Sequence, residues 1–124
     1  MITHELIIIW AWSAGYPAGM YASRYKIKNI IIWAQPGGAL ATSHKVENFP
    51  WTISASGKDI MNNFKEHALT SGSEILQEMV VSLEKKENIF LLKTTSWKIF
   101  SSKYIILATW NNYKKLWDIW EAEF

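Results

Sequence analysis

The chain has 124 residues, 49% of them hydrophobic, and a formal net charge of +2 with both signs interspersed; that is the scale of one domain with a real core, without a field that would draw nucleic acid or a membrane surface. It contains no cysteine, which excludes a disulfide scaffold and any thiol chemistry carried by these residues. The first apolar stretch is broken by Ser13, Gly15 and Pro17 and no basic segment precedes it, so a soluble, cytoplasmic protein with neither a membrane nor a nucleic-acid partner is expected.

Leu6-Ile7-Ile8-Ile9 is a short, β-branched apolar run, suited to a strand of a parallel sheet buried on both faces. Residues 14–25 follow with Gly15, Ala18, Gly19 and Ala22 at helical spacing, a small-residue face that lets a helix approach closely; Pro17 is expected in its first turn. Ile30-Ile31-Ile32 is a second buried strand, completing a right-handed βαβ unit. Residues 34–55, with Pro36, Gly37, Gly38 and Pro50, read as a long functional loop. Ser56-Gly57-Lys58-Asp59 has the capping-box pattern, and Ile60, Phe64 and Ala68 repeat every four residues until Gly72, predicting a helix over 57–70. Residues 74–84 read as one strand, 89–94 as the next after the polar turn Lys85-Lys86-Glu87-Asn88, then Ile99-Phe100 and a last buried run at 104–107. The expected parallel sheet therefore holds 6–9, 30–32 and 105–108, with an antiparallel meander over about 79–100.

Eight tryptophans stand beside six glycines, although glycine makes up roughly 7% of ordinary proteins and tryptophan far less. Trp10 and Trp12 follow the first strand, Trp33 ends the second, Trp51 follows Pro50, Trp97 sits at a turn, Trp110 ends the last strand, and Trp117 and Trp120 lie in the polar tail. These are places where glycine would be ordinary punctuation. Reading tryptophan as glycine turns Trp10-Ala11-Trp12-Ser13-Ala14-Gly15 into Gly-x-Gly-x-x-Gly between a strand and a helix, the dinucleotide-binding fingerprint in its required context.

With that substitution the chain resembles the thioredoxin reductases over nearly its whole length. The motifs that carry the resemblance are residues 7–25, Pro36-Gly37-Gly38-Ala39-Leu40, Lys45-Val46-Glu47-Asn48-Phe49-Pro50-Trp51, residues 56–68, residues 105–110 and Lys115-Leu116-Trp117. It implies a Rossmann-like FAD/NAD(P)-binding α/β domain, here incomplete, over 1–110, followed at 111–124 by the start of a linker that packs poorly. It also implies FAD as cofactor, held by positions 10, 12 and 15 with Ser13 and Ala14 at the pyrophosphate, by Gly37, Gly38, Leu40 and Asn48 along the flavin, by Met79 and Val80 at the adenine, and by Thr109 and Trp110 at the closing strand end. The parent enzyme would be a homodimer passing electrons from NADPH through FAD and a Cys-x-x-Cys pair to a thioredoxin-like protein; that pair and the NADPH domain lie outside these residues, so no catalytic residue is expected in this chain.

Two departures stand out: Ala39 replaces a usual Gln, and no acidic residue ends the second strand. Between Glu5 and Glu47 the charges are basic, at Arg24, Lys26, Lys28 and Lys45, either a pyrophosphate-friendly field or a solvated surface. His4, His44 and His67 lack metal-ligand spacing and are expected as surface or helix residues, not catalysts. Peroxiredoxin and ferredoxin reductases share the same motifs and are the alternatives within the class. A non-enzymatic module using tryptophans as stacking platforms is the alternative outside it, and it requires the rings to align on one face. One replacement type at eight positions points to codon reading: a gene in which UGA means glycine, translated with a table in which UGA means tryptophan. A deliberate tryptophan scan is the other explanation.

Overall fold

The computed structural model describes residues 1–34 and 40–109. In chain order these form β1 (Ile2–Ile9), α1 (Trp12–Arg24), β2 (Asn29–Trp33), α2 (Gly57–Ser71), β3 (Glu74–Gln77), β4 (Val80–Lys86), β5 (Ile89–Thr94) and β6 (Ile99–Leu107). The strands make one sheet in the order β3-β2-β1-β6-β5-β4. β1 runs parallel to β2 and β6, β2 runs parallel to β3, and β4, β5 and β6 form an antiparallel meander. The chain therefore winds outward from β1 to β3, then crosses to the other side of β1 to add β6.

The isoleucine runs form strands because both of their faces are covered. Leu6, Ile8, Ile31 and Trp33 meet Tyr16 and Ala22 of α1 and Met61 and Ala68 of α2. Ile7, Ile9, Ile30 and Ile32 point the other way, against Leu92 and Phe100. Ile7, Ile8, Ile31 and Ile32 are fully buried, each contributing about 1.5–3 kcal/mol. α2 starts and stops where its sequence says: Asp59 N–H donates to Ser56 Oγ at 3.1 Å, and Gly72 closes the helix in the left-handed region at φ 107°.

Several expectations change. Residues 74–84 make two strands, because the chain leaves the parallel ladder beside β2 at Glu78 and Met79 and turns into the meander. Ile99-Phe100 and the 104–107 run belong to one nine-residue strand, which ends at Leu107 and not at 108. It pairs with β5 through Ile99, Phe100, Ser101 and Ser102 and with β1 as far as Leu107. That run is not buried: Tyr104, Ile106 and Leu107 are exposed, since the helices lie over β1 and β2, and β5 has ended. Pro17 lies inside α1 beyond its first turn, where it removes the N–H that would reach back to residue 13. His4, expected as a surface or helix residue, is buried in strand β1 with Nε2 3.2 Å from Glu74 Oε2, because its position alternates inward. The expected linker at 111–124 lies outside the described residues.

Candidate nucleotide crevice

The strand order reverses between β1 and β6, whose carboxyl ends lie side by side at the crevice position of an open α/β sheet. Ligands of open α/β sheets bind at such a point. Trp10 N–H donates to Ile32 C=O at 2.8 Å, and Ala108 N–H to Ile9 C=O at 2.9 Å, which fixes both exits from the sheet. Between them the chain turns sharply into α1, with φ 84° at Trp10 and 72° at Trp12. For a bulky residue that geometry costs of order 1–3 kcal/mol each. Gly15 makes the turn possible from the other side: a β-carbon there would overlap the Trp10 carbonyl oxygen. α1 begins with no side-chain cap and no acidic residue in its first turn, and Ser13 and Ala14 are exposed there. Its N-terminal N–H groups and dipole face the crevice uncompensated, an arrangement that favours an anion.

The crevice itself holds indoles. Trp12 packs edge-on against Trp33, ring centroids 5.7 Å apart. The indole N–H groups of Trp10, Trp12 and Trp33 are buried without a hydrogen-bond partner, each costing about 1–3 kcal/mol. Trp33 is buried because, as the last residue of β2, it alternates onto the helix side with Ile31. What space remains is a cavity of about 260 Å³ lined by Trp12, Tyr16, Trp33, Lys58, Met61 and Lys65 among others. Burial pushes the Tyr16 phenol up to about 12, so it stays neutral.

The other site residues divide. Leu40 shares a cavity of about 390 Å³ with Ser13, Pro17, Phe49, Phe64 and His67. It is brought there because Gly57 lets α2 start directly against the Leu40 carbonyl, which a β-carbon would overlap. Ser43 N–H then bonds Leu40 C=O at 3.0 Å and Gly57 N–H bonds Ser43 C=O at 2.9 Å. Asn48 is exposed and lines a separate concavity with Phe49, Trp51 and Ile53. That loop is pinched at its base by the Val46–Ala55 bridge and held to α2 by Phe49 on Phe64, ring centroids 5.7 Å apart. Thr109 follows β6 at the carboxyl edge of the sheet, whereas Met79 C=O accepts the Thr95 N–H and Val80 opens β4 opposite Thr94, packed on the cluster of Ile7, Ile9, Ile30 and Ile32. Gly37, Gly38 and Trp110 lie outside the described residues.

Of the two readings of the basic residues, the solvated surface holds: Arg24, Lys26, Lys28 and Lys45 are all exposed. Lys26 and Lys28 precede β2, and Lys28 bonds Glu5 at the amino edge of the sheet. Arg24 ends α1 at that same edge, and Lys45 pairs with Glu47 in solvent at 2.8 Å. The lysines that line the crevice are Lys58 and Lys65 of α2. The signal available for them was their spacing of seven on a helix, which places both on one face. Among the described residues no cluster of acidic, His or Cys side chains could hold a metal, and no helix is long and apolar enough to cross a membrane. Among the described residues the tryptophan rings do not align on one face: Trp51 and Trp97 are exposed on separate turns, while Trp10, Trp12 and Trp33 lie at the crevice.

A parallel sheet with an order reversal, a Gly-backed turn and an uncapped helix start defines a Rossmann-like dinucleotide-binding domain. Known proteins narrow that class. No family model matches the chain. Thioredoxin reductase of Borreliella burgdorferi is 36% identical over 115 residues, covering 90% of this chain and 35% of that protein. The solved thioredoxin reductases of T. acidophilum and Lactococcus lactis superpose with TM-scores of 0.85 and 0.86 at 28% and 27% identity, covering 94% and 92% of this chain and 38% of each. The chain belongs to the thioredoxin reductase family and spans a little over a third of the length of these relatives.

Proposed function

We propose that residues 1–110 are the FAD-binding part of a thioredoxin-reductase-like oxidoreductase. The complete enzyme, a cytoplasmic homodimer, would carry electrons from NADPH through FAD and a dithiol to a thioredoxin-like disulfide. The observation that carries this reading is the uncapped start of α1, aimed into the crevice where the strand order reverses and backed onto the Trp10 carbonyl through Gly15. In this reading the N–H groups of residues 12–14 hold the pyrophosphate, the Gly15 N–H being donated to Ala11 C=O. Leu40, Asn48 and the Gly37-Gly38 pair flank the flavin, Met79 and Val80 the adenine, and Thr109 with Trp110 the closing strand end. Lys58 and Lys65, lining the crevice wall, add positive charge close to the phosphates. With no cysteine in these residues, the dithiol belongs to another part of the polypeptide.

The backbone fits the cofactor and the side chains do not. The turn at 10–15 has the close approach a pyrophosphate needs, yet Trp12 and Trp33 pack together in the crevice beside it. FAD therefore does not fit the chain with tryptophan at these positions. The test is flavin absorbance of the purified full reading frame in two forms, with tryptophan and with glycine at 10, 12 and 33. Stoichiometric flavin in the glycine form alone is the expected result; a flavin-free glycine form overturns the assignment.

A further inference from the structure

The conflict between backbone and side chain extends well past the crevice. Among the described residues six without a glycine's freedom have positive φ: Trp10, Trp12, Lys26, Trp51, Glu87 and Trp97. Lys26 follows the C-cap of α1, and Glu87 is the tip of the β4–β5 hairpin, places where single residues often take that conformation. The other four are tryptophan, a residue for which it is a genuine outlier. The fifth described tryptophan, Trp33, has its indole N–H buried without a partner.

Packing does not account for this pattern. Trp51 and Trp97 are 104% and 82% exposed, with φ 76° and 63°, so their indoles gain nothing from burial. They sit on turns closed by Thr52 N–H to Phe49 C=O and by Trp97 N–H to Thr94 C=O. The two turns lie far from each other in the chain, on the loop before α2 and on the β5–β6 connection. What these sites share with Trp10 and Trp12 is a backbone made for a residue without a side chain. One residue type standing in for one other, at unrelated places, is the mark of a decoding rule and not of selection at a site.

We propose that all eight tryptophan positions are glycine in the protein the cell makes, because the gene writes them as UGA and the host reads UGA as glycine. Watson–Crick pairing then requires a glycine-charged transfer RNA with the anticodon UCA. Gly15, Gly57 and the remaining glycines use ordinary glycine codons and are unaffected. The proposal deepens the FAD reading at positions 10, 12 and 33, but at 51 and 97 it stands on backbone geometry alone.

Two measurements on the native system test it: the coding DNA, and the masses of peptides spanning residues 51 and 97 in protein from cells that carry the gene. TGA at all eight codons with glycine in the peptides is expected, together with expression that stops before residue 10 in a host using UGA as a stop. A TGG at any of the eight, or tryptophan in the native peptides, overturns the proposal. If the codons are TGA, the peptides carry glycine and the glycine form still binds no flavin, the decoding assignment stands and the FAD reading falls.

Discussion

The two helices begin in opposite ways. α2 is closed at its start by its own side chains: Ser56 Oγ accepts the Asp59 N–H at 3.1 Å and donates to Asp59 Oδ2 at 2.6 Å, with the carboxylate in the first turn where the dipole favours it. α1 has Ala11 at the cap, no side-chain bond, no acid in its first turn, and a positive φ at Trp12. One helix start has been finished locally and the other left for something else to finish. The contrast separates a structural helix end from a binding one, and it does so through the hydrogen-bond inventory and not through residue names.

The contrast breaks most visibly at the glycines that seat each helix. Gly15→Ala and Gly57→Ala each push a β-carbon into a backbone carbonyl, of Trp10 and Leu40 respectively. Backbone yields poorly, so each should lose about 3 kcal/mol, the upper end of the overpacking range, measured by urea unfolding. Loss in Gly57→Ala should come with release of the 40–46 loop, seen as faster amide exchange there, whereas Gly15→Ala should loosen the start of α1.

Next come the exposed tryptophans. Trp51→Gly and Trp97→Gly remove positive-φ strain of order 1–3 kcal/mol each and forfeit little burial, against about 0.5–1 kcal/mol for the glycine's greater freedom when unfolded. Each should stabilise the chain by about 1 kcal/mol, read as a higher urea midpoint at unchanged slope. A destabilised Trp51→Gly would show that the left-handed turn at 49–52 is not built for glycine. At Trp12 the same strain competes with a partly buried indole, so the exposed positions give the cleaner reading.

At the closed helix start, Ser56→Ala should cost about 1 kcal/mol, and no replacement at Ala11 can lose a side-chain cap that α1 lacks. The smallest effect concerns Glu78, where the chain leaves the parallel ladder. Hydrogen bonds from Lys98 at 2.6 Å and Ser96 at 2.6 Å, with Thr94, hold its carboxyl at about 2, below its ordinary 4.5. A depressed carboxyl stabilises the fold above its unfolded value and loses that contribution as pH falls from about 4.5 through about 2. Lys98 is half exposed, so the contribution is below about 1 kcal/mol. Unfolding of Glu78→Gln at pH 6 and pH 3 should show a shallower acid dependence than the parent chain.

The sequence by itself determined what depends on neighbours along the chain. The isoleucine runs specify β1 and β2, the Ser56-x-x-Asp59 cap and Gly72 bound α2, and the tryptophan positions mark the backbone of a dinucleotide turn even though the residues contradict it. Family membership was legible for the same reason, since its motifs are local and ordered. Only the tertiary structure decided which edges meet: that residues 74–84 split between a parallel and an antiparallel partner, that β6 serves β5 with one half and β1 with the other, and that His4 turns inward. It likewise set Lys58 and Lys65 on the crevice while sending Lys26 and Lys28 to the far edge of the sheet. Hydrophobic period and capping chemistry act over a few residues, whereas strand order and the direction a charge faces are fixed by contacts between segments distant in sequence, which no local pattern encodes.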